Sequence, residues 1–246
     1  MSLQKLKNAP LKEVIFELHW QQTIELSGFP SDPGFEFAVG RFAEILKPDF
    51  PVHRKLPVAD APIKFIGVPL HQYWKGEMTY PVIQHGQCML AVNEVEHGYI
   101  WSESFRPLIL DSINKLMQSY EGTLNFNKVI LKYIDAVDLD EISPHDFISQ
   151  NLQTRILNDY PIAGKFLDTQ LVQAFELEDS SIMRLSIATG KNNKTQKKVV
   201  IWTTEVEKNK SLNLDEIYWW IDHAHTHTSD MFKRMLNPEY YASLDR

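Results

Sequence analysis

Apolar positions recur along this chain with two periods, and each change of period marks an element. In residues 10–20, Val14, Phe16, Leu18 and Trp20 alternate with Glu13, Glu17 and His19, which predicts a strand with one wet face. Asp32 then reads as an N-cap ahead of Pro33, and Phe35, Ala38, Val39, Phe42 and Leu46 recur at helical spacing until Pro48. Short strand patterns follow in VHRKLPV, IKFIGVPL and YPVIQHGQCMLAVNEV, with Gly86 expected at a turn or bulge. A second helix opens at Ser104 and tolerates Pro107 in its first turn. Its stripe is Phe105, Leu108, Ile109, Ile113, Leu116, Met117 and Tyr120, and Gly122 supplies the stop.

The second half repeats that order. NKVILKYIDAVD reads as a strand, PHDFISQNL as a short helix, and LVQAFELE, SIMRLSIATG and KKVVIWTTEVE as three more strands. Residues 212–236 close the pattern as a long amphipathic helix. Asn213 is placed as its N-cap, Glu216 as the capping-box partner, and Leu212 with Ile217 as the hydrophobic staple. Ile217, Trp220, Ile221, Ala224, Thr228, Met231, Phe232 and Met235 fall on one stripe, and Asn237-Pro238 ends the element. The pattern therefore predicts an α+β fold of two similar βαβββα halves, residues 1–122 and 123–246, packed as one unit. Each half is expected to have an antiparallel sheet covered by helices on one face. Paired halves would form a saddle-like pseudo-dimer, whose concave face is the default place for a ligand.

Composition narrows the class further. At 246 residues, with 43% hydrophobic and 23% charged side chains, the chain has enough apolar content for a normal core. A net charge of −7 disfavours a general electrostatic grip on nucleic acid. The single cysteine, Cys88, sits in an apolar run and reads as a buried thiol in a reducing compartment. No apolar run approaches the ~20 residues needed to span a bilayer, and the N-terminus lacks a signal-peptide pattern, so a cytoplasmic protein without a membrane partner is expected.

Candidate chemistry is sparse. No GxGxxG, P-loop, GxSxG or paired-cysteine motif occurs, so no cofactor is expected and a non-enzyme is favoured. His223 and His227 lie four apart on one flank of the last helix with Asp230 a turn further, a spacing that can ligate a divalent metal. The plainer reading is a pair of border histidines, because no HExxH supplies a general base. HQYWKGEMTYP reads as an exposed aromatic hairpin, or as a ligand rim carrying Tyr73 and Trp74. Asp135 stands in the apolar strand YIDAV; the simpler expectation is that it faces solvent, and burial would demand a partner or a raised pKa. Lys191, Lys194, Lys197 and Lys198 lie between two strands, where a solvated hairpin tip is favoured over a nucleic-acid contact.

Several blocks together carry a resemblance: LKNAPLKEVIFELHW, QHGQCMLAVNE with YIWSESFRPLILDSINKL, LKYIDAVD, and MFKRMLNPEYYASLD. Over essentially the whole chain they resemble a sporadically distributed set of uncharacterised bacterial proteins of similar length. The resemblance brings no activity and no catalytic residue; what it implies is an accessory or defence-type gene context. The expectation from the residues is an intracellular binding or interaction protein for an unknown small molecule or protein. A metal-assisted hydrolase using His223, His227 and Asp230, and a nucleic-acid binder using the lysine hairpin, are the alternatives. Trp219 and the tyrosines of PEYYASL leave room for a homodimer.

Overall fold

The computed structural model describes residues 6–26, 28–61, 65–156 and 167–245. Strand β1 (Leu11–Trp20) buries Val14, Phe16, Leu18 and Trp20, as their alternation requires. Two short strands, β2 (Thr23–Ile24) and β3 (Pro30–Ser31), pair antiparallel and precede α1 (Phe35–Leu46), which buries Phe35, Ala38, Phe42 and Leu46. Next come β4 (Val52–Lys55), β5 (His71–Gly76), β6 (Thr79–Gly86) and β7 (Met89–Val95), each antiparallel to the one before. A π-type turn, Trp101–Phe105, opens α2 (Arg106–Ser119). The remaining elements are β8 (Phe126–Leu139), α3 (Pro144–Asn151), β9 (Gln170–Glu176), β10 (Ile182–Lys191), β11 (Lys198–Leu212), α4 (Leu214–Met235) and α5 (Pro238–Ser243). The fold is α+β with antiparallel strands, as the pattern predicts. Among the described residues no helix is long and apolar enough to cross a membrane.

Several local readings fail. Asp32 does not cap α1, whose N-cap is Gly34; the Asp32 carboxylate turns inward instead. The run IKFIGVPL is not a strand over its described part. Ile66 makes one isolated bridge to Gln87, and the Val68 carbonyl passes so close to Gly86 that a Cβ there would collide with it. Gly86 is therefore demanded by a tertiary approach, while the turn itself follows at Cys88 with φ of 56°. The second helix ends at Ser119 with Tyr120 as its C-cap, before Gly122 is reached.

The chain forms two compact units. One comprises Val14–Leu131 and Glu207–Asp222, with strand order β4-β5-β6-β7-β1-β8-β11. Here α1 packs on the face of β5 and β6 that carries His71, Tyr73 and His85, with Phe42 edge-on to Tyr73 at 5.4 Å. The start of α4 also lies in this unit, and its capping box forms as expected. Asn213 Oδ1 accepts from the Glu216 amide at 2.9 Å, and Glu216 Oε2 accepts from the Asn213 amide at 2.8 Å. Replacing Asn213 by alanine orphans one of these donors and is expected to cost about 1 kcal/mol, read as a lowered urea midpoint with unchanged slope.

The other unit comprises Met1–Glu13, Lys132–Val206 and His223–Arg246, with strand order β1-β8-β11-β10-β9. Its core joins Leu139, Phe147, Leu185, Trp202, Leu236 and Leu244 from three strands and the segments around α3, α4 and α5. Ser143 caps α3 by accepting from the Asp146 amide at 3.1 Å, and Asn237 caps α5 in the same way. The lysine-rich tip between β10 and β11 is a hairpin closed by the Asn192 amide on the Lys197 carbonyl at 2.9 Å.

Candidate functional site

Antiparallel register brings together three histidines that are far apart in sequence. Lys55 pairs with His71, and His71 with His85, so one histidine from each of β4, β5 and β6 lies on the face beneath α1. His53 Nε2 is 2.9 Å from His71 Nδ1, and the His53 ring stacks on Tyr73 at 4.7 Å with planes 15° apart. Phe35 of α1 packs against both His71 and His85. Burial, reinforced by His53 and Lys55, pushes His71 down to about 4; burial and His71 push His85 down to about 3. Burial lowers His53 as well. At neutral pH His71 and His85 are thus uncharged hydrogen-bonding groups.

Behind His85 the network has a fixed direction. The Tyr120 hydroxyl donates to Asp32 Oδ2 at 2.8 Å, which uses its only hydrogen. His85 Nε2, 3.3 Å from the same hydroxyl, must therefore carry the proton and donate. Asp32 Oδ2 also accepts from the Trp20 indole at 3.1 Å and the Cys88 amide at 3.1 Å. Burial and the Asp32 carboxylate raise the Tyr120 hydroxyl far above the ordinary tyrosine range, so it stays a donor. Burial and Asp32 likewise push the Cys88 thiol up to about 12, which makes it the inert buried thiol expected.

In front of His71 a cleft of about 370 Å³ opens between α1 and the segment after β4. Phe35, Val39, Val58, Phe65 and Leu70 give it apolar walls. Glu36, Lys55, His71 and Gln87 supply its polar groups, and Lys55 is ion-paired with Asp60. His53 occupies His71 Nδ1, and among the described residues no hydrogen bond is seen at Nε2. A few polar groups set in an apolar concavity are the usual make-up of a small-molecule site.

The residues singled out by sequence fall elsewhere. Tyr73 and Trp74 are 0% and 3% exposed on opposite faces of β5, so neither forms an exposed hairpin surface or a rim. Trp74 packs edge-on to Tyr80 at 5.3 Å. Asp135 is 3% exposed, contrary to the solvent-facing expectation; burial raises its carboxyl to about 7 against the pull of Lys12 and the Trp202 indole. His223 and His227 are adjacent, Nε2 to Nε2 at 3.0 Å, while Asp230 is exposed one turn on. Among the described residues no three His, Cys, Asp or Glu side chains converge on one metal position. His225, between them on α4, is buried with Nδ1 2.9 Å from the Tyr133 hydroxyl. In the lysine hairpin Lys197 pairs with Asp140 at 2.6 Å, and Asp138 accepts from Asn192 and Thr195, while Lys191, Lys194 and Lys198 are exposed. The cleft escaped the sequence reading, although VHRK, LHQY and IQHG each offer one histidine on a strand. Compared with protein families, curated proteins and solved structures, the chain finds no match.

Proposed function

We propose that this chain is an intracellular binding protein that holds a small, largely apolar organic molecule in the cleft beside His71. The observation that carries the reading is the cleft itself: apolar walls around a neutral imidazole whose outer nitrogen can meet one hydrogen-bonding group of the ligand. A charged ligand is less well served, because Lys55 is already paired with Asp60 and Glu36 stands in the same wall. Beside His71 on the adjacent strand, His85 is held by the Tyr120 hydroxyl and through it by Asp32.

The two-half architecture belongs to this proposal. Element order in the first half is β1, α1, β5-β6-β7, α2, apart from the added β2, β3 and β4; in the second it is β8, α3, β9-β10-β11, α4. The strand orders β5-β6-β7-β1 and β9-β10-β11-β8 correspond term by term, which supports an internal repeat of βαβββα units.

A neutral-fragment screen read by ligand-induced thermal shift tests the binding reading. Val39→Trp, which fills the cleft and leaves every histidine in the sequence, is expected to abolish the shift from fragments bound there. His71→Gln is expected to weaken the same fragments about tenfold, the loss of one buried hydrogen bond. Hits that keep their affinity in both variants would place binding elsewhere and reject the cleft.

A further inference from the structure

We propose that His223 and His227 form a bidentate site for a divalent transition ion of the Cu²⁺ class on the flank of α4. The two residues are one helical turn apart, and their Nε2 atoms face each other at 3.0 Å with ring planes 83° apart. Two imidazole nitrogens bound at about 2.0–2.1 Å and subtending about 90° at a metal lie about 3 Å apart, so the observed spacing matches a cis pair in tetragonal coordination. The higher place of Cu²⁺ in the affinity order of nitrogen ligands favours it over Zn²⁺.

The surroundings suit a cation. His227 feels the carboxylates of Asp179, Asp230 and Glu178, from the β9–β10 connection and from α4 itself. In the apo pair one ring donates its Nε2 hydrogen to the other. On binding, that hydrogen moves to Nδ1 of the same ring and both Nε2 lone pairs go to the ion. With two protein ligands, the remaining positions are filled by water and stay exchangeable. This site does not depend on the His71 cleft, and either can fail alone.

The test is titration of the full chain, free of any polyhistidine tag, with copper(II) sulfate, followed by calorimetry and electron paramagnetic resonance. One equivalent should bind with hyperfine structure from two equivalent nitrogens. His223→Ala and His227→Ala should each weaken binding at least about tenfold, because one of two ligands is lost. His145→Ala, an exposed histidine on α3, should leave binding unchanged. Wild-type affinity and spectrum in the double variant would overturn the proposal, and so would a parent spectrum without two nitrogen ligands, which needs no variant to fold.

Discussion

Replacing Asp32 by alanine is expected to cost about 3–5 kcal/mol of folding stability, the range for removing one member of a buried charged hydrogen-bond network. Asp32 is 9% exposed, and a single carboxylate oxygen collects three donors: the Trp20 indole at 3.1 Å, the Cys88 amide at 3.1 Å and the Tyr120 hydroxyl at 2.8 Å. These come from β1, from the turn between β6 and β7, and from the end of α2, so one Asp32 oxygen joins three pieces of one unit. Truncation leaves all three donors buried without an acceptor. Tyr120→Phe removes only one donor and deprives His85 of its acceptor, and is expected to cost about 1–2 kcal/mol. Urea unfolding followed by circular dichroism measures both. An Asp32→Ala variant within 1 kcal/mol of the parent would show that the network contributes little beyond packing.

The same residue shows where a sequence is legible and where it is not. Asp-Pro ahead of a helical stripe is a sound local signal for an N-cap, and the stripe of α1 was read correctly. What turned Asp32 inward was the arrival of Trp20, Cys88 and Tyr120, none of which is near it in sequence. The capping box at Asn213 and Glu216 was legible because both partners lie within one turn. The histidine face was not, since His53, His71 and His85 converge only once the register of β4, β5 and β6 is set, and spacing along the chain does not set it. Strand β5 misled for a related reason. HQYWKG looks wet by composition, yet Tyr73 and Trp74 are buried on opposite faces, a consequence of tertiary cover that alternation does not encode.

Asp135 yields the second large effect, and its sign is opposite to that of most buried carboxylates. Its folded-state pKa is raised to about 7, mainly by burial, so between about pH 4 and pH 7 the folded chain keeps a proton that the unfolded chain has already lost. The folded state binds more protons in that window, and its stability falls as pH rises through it. At about 1.4 kcal/mol per pH unit the loss reaches about 4 kcal/mol by pH 7 and is constant above it; below about pH 4 both states are protonated and the contribution is fully retained. Asparagine keeps the shape and cannot ionise. The stability of the parent minus that of Asp135→Asn should therefore decline by about 4 kcal/mol between pH 4 and pH 8, measured by urea midpoints at closely spaced pH values. A flat difference would mean that Lys12 and the Trp202 indole hold the carboxylate ionised inside the protein. A chain that retains so costly a group in the strand YIDAV, beside the Trp202 core, is kept below its attainable stability at neutral pH by one side chain.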